Sequence, residues 1–540
     1  MFARVKRIKT KAGKICEYLV LVENKRINGK VRQRVIANLG RTELLRETNM
    51  ADLLVDKLKA YTRTSRLMEL ADTSCDWTKD YGIMLILRRL WQETDLEDIF
   101  KHYLNKYKYR SNLAEAILAL IASRLVSVGS ELHTAKWVSR VYQSQWENLK
   151  AHTFYRALDF IYHHKKDIQK EIFFKATDLF NQKLDLVMFD TTSIKYWGEG
   201  KDIDLLQYGY SKEKRGDLKQ LIVGVLMTKE GIPCACEIFA GNTSDIKSFV
   251  QVLEKLKEDY DIGRLIWVAD RGMVSQANID KLKELKQDYI LGVKMRQFNK
   301  EKRNKLLSLD KMMPVRDDLY VKEVNIEGEG RYIICYNPQE AEWEFNKRQY
   351  FRRHIKTKLK NSTTKEWIIK NGYKKYIDFE GELTLNEKKL YAENQFDGKW
   401  VLLTNTNLPS QEAALYYKGL WQIEAGFREL KQDLETSPIY HWTERRIIAH
   451  VFVSFLALLL KITLKKKIRQ IDKEASYQEV FEAIHQIKAV KLTEGRKEII
   501  FRSEFPDKAN LAFKAVGIAP PARILAYQET QSVVSKSQNT

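Results

Sequence analysis

Apolar and polar positions change their rhythm several times along this chain, and each change marks a different kind of architecture. Over 1–45, β-forming residues alternate with cations in KICEYLVLVE and KVRQRVIANL, with Asn28-Gly29 between them as the signal of a hairpin turn. A small basic antiparallel sheet is the predicted outcome. From about Tyr81 to Phe180 the apolar positions recur at helical spacing, in YGIMLILRRLWQ, NLAEAILALIASRLV and TFYRALDFIYHHKKDIQKEIFF. At Leu184 the pattern becomes apolar runs of strand length, LDLVMFD, LKQLIVGVLMT, PCACEIFA, RLIWVAD and DYILGVK, with SDIKSFVQVLEKLKEDY and SQANIDKLKELK as helices among them. Three strands, a helix, a strand, a helix and a strand make a mixed α/β sheet.

Beyond that sheet, YVKEVNIEGEGRYIICYN alternates like antiparallel strands, and the stretch that holds it is too long for a structureless loop. WVLLTNT then reads as a returning strand, QEAALYYKGLWQIEAGFRELKQDL as one amphipathic helix, and AYQETQSVVSKSQNT as a frayed polar tail. The expected layout is a basic β element over 1–45 and a helical, DNA-binding domain over 46–180. An α/β core over 181–295 resumes at 400–490 after a β-rich basic insertion domain at 296–399, and a C-terminal region fills 491–540. A length of 540 residues suits several such units.

Charge changes the picture most. Lysine and arginine outnumber the acids 93 to 71, a formal net charge of +22 that suits a polyanionic partner, nucleic acid first. The run from Asn346 to Tyr376 is dense in cations and carries Tyr350, Phe351, Trp367, Tyr373 and Tyr376 among them. Cations for phosphates and aromatic faces for bases belong together in nucleic-acid grooves, which nominates Lys347, Arg348, Arg352, Arg353, Lys356 and Lys358 as DNA contacts. Five scattered cysteines imply no disulfide framework and a reducing compartment, with Cys234 and Cys236 packing on one face of a strand. The apolar run VFVSFLALLL falls short of the roughly 20 residues of a bilayer span, so a cytoplasmic protein with no membrane partner is expected.

Candidate chemistry lies in the acids. Asp190 and Asp270 end apolar strands, where open α/β sheets place ligand sites. On a continuous helix Tyr417, Glu424 and Lys431 would stack along one face, offering a phenol, a carboxylate and an ammonium. Three carboxylates from separate segments suit two hard divalent cations, which activate a water or a 3′-hydroxyl in phosphoryl transfer, and Lys431 would hold a neighbouring phosphate.

With MFDTTS, GYSKEKRGDLKQLIVGVL, FAGNTSD, WVADRGMVS, VLLTNT and YKGLWQIEAGFRELKQDLETSPIYHW in this order, the chain resembles the DDE transposases of bacterial insertion sequences. The likeness is to the branch whose last helix carries a Tyr-Arg-Glu-Lys signature. The resemblance implies an RNase H-like mixed sheet flanked by helices and interrupted by the insertion, with Asp190, Asp270 and Glu424 as ligands of two Mg²⁺, Mn²⁺ being a substitute. Tyr417 and Lys431 match DNA-contacting positions of the branch. Its Arg position falls on Leu420, for which Arg428 is a replacement one turn after Glu424, and Ser437 stands before Pro438 where the branch has Arg. The implied activity is cleavage at the terminal inverted repeats of the element and joining to target DNA, performed by a homodimer in a synaptic complex close to the bacterial nucleoid. An RNase H-like nuclease that cuts without joining, and a DNA-binding regulator on an inactive scaffold, are the alternatives.

Overall fold

A computed structural model describes residues 2–9, 15–27, 30–48, 53, 73–109, 112–178, 186–210, 216–260, 265–358, 376–378, 384–494 and 497–529. The chain divides into two compact units. One is made of Met1–Leu90, Ala135–Leu149 and Leu464–Thr540, the other of Trp91–Thr134 and Lys150–Thr463.

In the first unit β1 (Phe2–Lys9), β2 (Ile15–Ile27) and β3 (Lys30–Arg41) form the expected antiparallel sheet, with Ile27 opposite Lys30. The turn residues Asn28 and Gly29 lie outside the described residues. A second sheet joins β4 (Thr73–Asp80) to the C-terminal strands β16 (Lys488–Glu494), β17 (Lys497–Arg502) and β18 (Ile524–Glu529), in the order β18-β17-β16-β4. Part of the segment expected to fray is therefore a paired strand: Tyr527 lies opposite Ile499 and Gln528 opposite Glu498. The ladder satisfies the main-chain polar groups of a segment whose side chains alone look like a tail.

The second unit is built on one nine-stranded sheet. Its strands are β5 (Leu186–Lys195), β6 (Gln220–Thr228), β7 (Pro233–Ala240), β8 (Ile266–Ala269), β9 (Asp288–Val293), β10 (Met313–Arg316), β11 (Leu319–Ile326), β12 (Gly330–Tyr336) and β15 (Lys399–Thr404). β13 (Ile377–Asp378) and β14 (Thr384–Leu385) pair separately. The sheet order is β10-β11-β12-β15-β9-β8-β5-β6-β7, with β5, β8 and β9 parallel and β6 antiparallel to β5. Counted along the chain, β5 to β9 take the spatial order 3-2-1-4-5 of an RNase H-like sheet, as expected. The insertion's three long strands extend this sheet through β12–β15 and β15–β9, where a separate β-rich body was expected. Its other part is largely helical, in Pro338–Lys358 and Glu387–Ala392.

Both faces of the central strands are covered, which explains why β6 is buried along its whole length. Phe249 of the helix Asp245–Tyr260 packs on Phe189 and Trp267, side chains of one face. On the other face, Cβ atoms added at Gly419 and Gly426 would lie 3.3 Å from Met188 Sδ and 2.6 Å from Met227 Cε. Those two glycines let the chain that carries Glu424 lie directly on β5 and β6. The apolar helix Glu444–Ile471, far longer than its VFVSFLALLL centre, passes the length and composition test for a membrane span, yet its apolar window is mostly buried in the fold.

Candidate active site

Register places the two aspartates. Met188 of β5 lies beside Val268 of β8, so Asp190 and Asp270, each two residues further on, fall on one row just past the end of β8. β5 runs on to Lys195, so Asp190 lies within its strand and not, as expected, at its end, because the polar Thr191, Thr192 and Ser193 continue the ladder with β6. Met188 points to the face covered by the Glu424 segment, and side-chain alternation sends Asp190 to that same face. Asp190 is half-buried and Asp270 exposed. The amide of Thr191 donates to Asp190 Oδ1 at 2.7 Å.

The expected single helix is instead three helical segments: Ser410–Lys418, Trp421–Arg428 and a π-turn over Glu429–Asp433. Between the first two, Leu420, Gln422 and Ile423 donate to carbonyls three residues back, at 3.1, 2.9 and 3.0 Å. A turn with three-residue hydrogen bonds overwinds the helix and a π-turn underwinds it, so seven-residue spacing does not hold Tyr417, Glu424 and Lys431 on one stripe. Tyr417 turns towards the sheet, where its hydroxyl donates to Asp270 Oδ1 at 2.9 Å. Burial, and then the Asp270 carboxylate, hold this phenol well above its ordinary pKa. Glu424 is exposed on the helix packed against β5, Lys431 is half-buried in the π-turn, and Arg428 is exposed. The carboxylate oxygens of Asp190, Asp270 and Glu424 do not all approach within 4.8 Å of one another.

A further carboxylate, unmarked by the sequence reading, belongs to this neighbourhood. Asp245 Oδ1 accepts from Thr191 Oγ1 at 2.6 Å. A Cβ built on Gly272 would lie 3.7 Å from Asp245 Oδ2 and 3.9 Å from Asp270 Oδ2, so both oxygens border one point. The only sequence signal was the place of Asp245 in FAGNTSD, at the start of a helix that follows a strand.

The candidate DNA contacts of the insertion have divided roles. Lys347 is exposed and stacks over Trp343 at 4.5 Å. Arg348 instead forks onto Asp397 and donates to Asn394 at 2.9 Å, and Arg352 pairs with Glu387. These two guanidiniums tie the insertion together. Phe351 and Tyr376, expected to face bases, are core residues with Ile355, Ile377 and Leu390, because the helix Pro338–Lys358 needs an apolar face to dock. Tyr350 is exposed beside His354. Arg353 is exposed on the same helix, which also carries Lys356 and Lys358, whose side chains lie outside the described residues, as do Trp367 and Tyr373. Arg271, next to Asp270, lines a cleft of about 320 Å³ with Arg296, Lys347 and Trp343.

A second set of ligand-type side chains lies deep in the same unit. His441 Nε2 is 3.0 Å and His450 Nδ1 3.8 Å from Glu131 Oε1, and all three residues are buried. Arg124 Nη2 stands 3.5 Å from His450 Nδ1 and 3.9 Å from Glu131 Oε1. A fixed guanidinium already supplies the positive charge in that pocket, and a metal ion there would be repelled by it.

Comparison with known proteins gives two matches to family sequence models: one described as transposase DDE domain over residues 181–460, and one described as IS1634 family transposase, N-terminal domain, over residues 3–67. No curated protein sequence matches the chain. Among solved structures, the chain is similar to the cryo-EM structure of a piggyBac transposase synaptic complex with hairpin DNA, at 8% identity and a TM-score of 0.37, over 74% of this chain and 77% of that one.

Proposed function

The chain belongs to the DDE transposases of insertion sequences, and from that premise we propose that Asp190, Asp270 and Glu424 are the catalytic carboxylates that hold a pair of Mg²⁺ ions. One observation carries the reading: the two aspartates share a row across adjacent parallel strands, where β8 ends, on the face covered by the segment that bears Glu424. The donor set suits the ions, since all three ligands are hard oxygens and none is fully buried. Carboxylates that would share bound cations meet through them and need not touch one another. When bound, the ions supply Lewis-acid stabilisation of the attacking and leaving oxygens, with Mn²⁺ a workable substitute.

The chain's own groups do the rest. Tyr417 fixes one oxygen of Asp270 and leaves the other for a ligand. Lys431 and Arg428 contact phosphates beside the cut, and Arg271, Arg296, Lys347 and Arg353 carry the backbone further out. The substrate is double-stranded DNA at the terminal repeats, cut by water and then joined to target DNA by its freed 3′-hydroxyl. Two protomers hold two ends, and the protein acts in the bacterial cytoplasm on nucleoid DNA.

Incubation of the full chain with end-containing DNA, Mg²⁺ and a target plasmid tests this. Wild-type protein is expected to give nicked ends and joined products, and Asp190→Asn to lose both by about a thousandfold or more, as when a metal-held phosphoryl-transfer site is dismantled. Nicking at wild-type rate in Asp190→Asn would sink the assignment. Nicking without joined products would leave a nuclease on the same scaffold.

A further inference from the structure

Asp245 is a carboxylate near the row that the reading above leaves without a task. It opens the helix Asp245–Tyr260 and lines a cleft of about 310 Å³ with Thr191, Thr192, Ser193, Thr243 and Gly272. Two bonds in series connect it to a proposed ligand. Asp245 Oδ1 accepts from the Thr191 hydroxyl at 2.6 Å, and the Thr191 amide donates to Asp190 Oδ1 at 2.7 Å. Thr191 is 2% exposed and points, like Phe189, to the face covered by the helix Asp245–Tyr260, so the tether acts from the opposite face of the sheet to Asp190.

We infer that Asp245 is a positioning residue for Asp190: by holding the Thr191 hydroxyl, it fixes the backbone amide that orients the Asp190 carboxylate. This rests on the assignment of Asp190 as a metal ligand. The physical reason for such a tether is that Asp190, inside its strand, has a strand neighbour on one side only: β6 pairs with β5 as far as Lys195. β8 ends at Ala269, so beside Asp190 the ladder to that neighbour has run out. A side-chain bond from a helix start replaces it. The short hydroxyl–carboxylate distance marks a charge-assisted bond, about twice as strong as a neutral one. Partners that orient a metal ligand from behind change metal affinity by about 10–100-fold when removed.

The test separates tether from charge and does not depend on turnover. Mn²⁺ binding to the full chain is titrated by the loss of the free-ion EPR signal, beside the Mg²⁺ concentration that gives half-maximal end cleavage. Asp245→Ala and Thr191→Val are expected to weaken Mn²⁺ binding by about tenfold and to raise the Mg²⁺ requirement in step. Thr191→Ser keeps the hydroxyl, and Asp245→Asn keeps an acceptor without the charge; both are expected within about threefold of wild type, since the orienting bond survives. Urea midpoints identify any variant that is merely unfolded, and the Thr191→Ser against Thr191→Val pair keeps the question open if Asp245→Ala fails to fold. Wild-type Mn²⁺ affinity in folded Thr191→Val would overturn the inference, as would equal losses in Asp245→Asn and Asp245→Ala, which would make charge the cause. Asp190→Asn serves as the control: if it too binds Mn²⁺ normally, the assignment of the metal ligands has failed, whereas a loss there with none in Thr191→Val overturns the tether alone.

Discussion

Two sets of metal-type ligands lie in one unit of this protein and differ in almost every physical respect. Asp190, Asp270 and Glu424 stand inside a strand, just past the end of its neighbour and on a helix flank, half-buried or exposed, with oxygen donors only. Glu131, His441 and His450 are buried at 2, 3 and 1% exposure, packed closely enough to pass for a metal cluster, and neutralised by Arg124. The tidier cluster is the worse metal site. Close approach of ligand atoms in a protein interior shows that their charges are already matched there, whereas a site for phosphate and hydrated Mg²⁺ must keep its carboxylates open. The difference predicts that the buried set carries stability and the exposed set carries chemistry.

The largest effect on stability should come from breaking the buried set. Glu131→Ala leaves the Arg124 guanidinium, whose Nη1 already lacks a partner, buried beside two imidazoles. Loss of one member of a buried ion pair costs about 3–5 kcal/mol. Urea unfolding should report a loss of that size for Glu131→Ala and less than about 1 kcal/mol for Glu424→Ala, an exposed side chain on a helix. Equal losses would erase the distinction between the two sets.

A somewhat smaller effect follows from pH. Burial, and then the positive charge of Arg124, push His450 down to about 4. Its Nε2 donates to the Thr436 carbonyl at 3.1 Å, which fixes the neutral tautomer. In the unfolded chain the same imidazole takes a proton near pH 6.5. Between those values the unfolded state binds more protons, so stability is full above about pH 6.5 and falls as the pH drops towards 4, by on the order of 3 kcal/mol. Glu131 extends the loss to lower pH: burial acts to raise it, but the bond from His441 and the closeness of both imidazoles outweigh that and hold it below the usual carboxylate range. Urea midpoints from pH 7 to 4 measure the slope, and His450→Gln should flatten it.

Strand periodicity made the central sheet legible in the sequence: the segment PCACEIFA is β7 residue for residue, and Asp270 follows the strand it was expected to end, whereas β5 runs past Asp190 through the polar TTS that its apolar run did not announce. Sheet membership was not legible, because alternation in YVKEVNIEGEG says that strands pair but not with which partner, and β12 chose β15 of the core. The Glu424 segment was misread as one uniform helix because Gly419 looks harmless in a window of good helix formers. Its role is the close approach to Met188, a tertiary fact. Aromatics among cations looked like base platforms for the same reason. Phe351 and Tyr376 are indistinguishable from Tyr350 until the helix is docked.

The smallest effect, and the finest test of the exposed site, concerns Gly292. By register it continues the row of Asp190 and Asp270 onto β9, since Ala269 lies beside Leu291. A Cβ there would come 2.1 Å from the Tyr417 hydroxyl and 2.8 Å from its Cζ, so any side chain must push the ring away. The fold gains nothing from a bare glycine inside a strand; what the position allows is a phenol lying flat over the sheet, close enough to bond Asp270. Gly292→Ala should therefore cost Mg²⁺-dependent cleavage about as much as Tyr417→Phe, roughly tenfold each for one bond to a carboxylate. The two losses should not multiply in the double variant, because both remove the same bond. Cleavage rates of the four proteins at saturating Mg²⁺ close the cycle, and a hundredfold loss in the double variant would show that Gly292 serves the site by some route other than Tyr417.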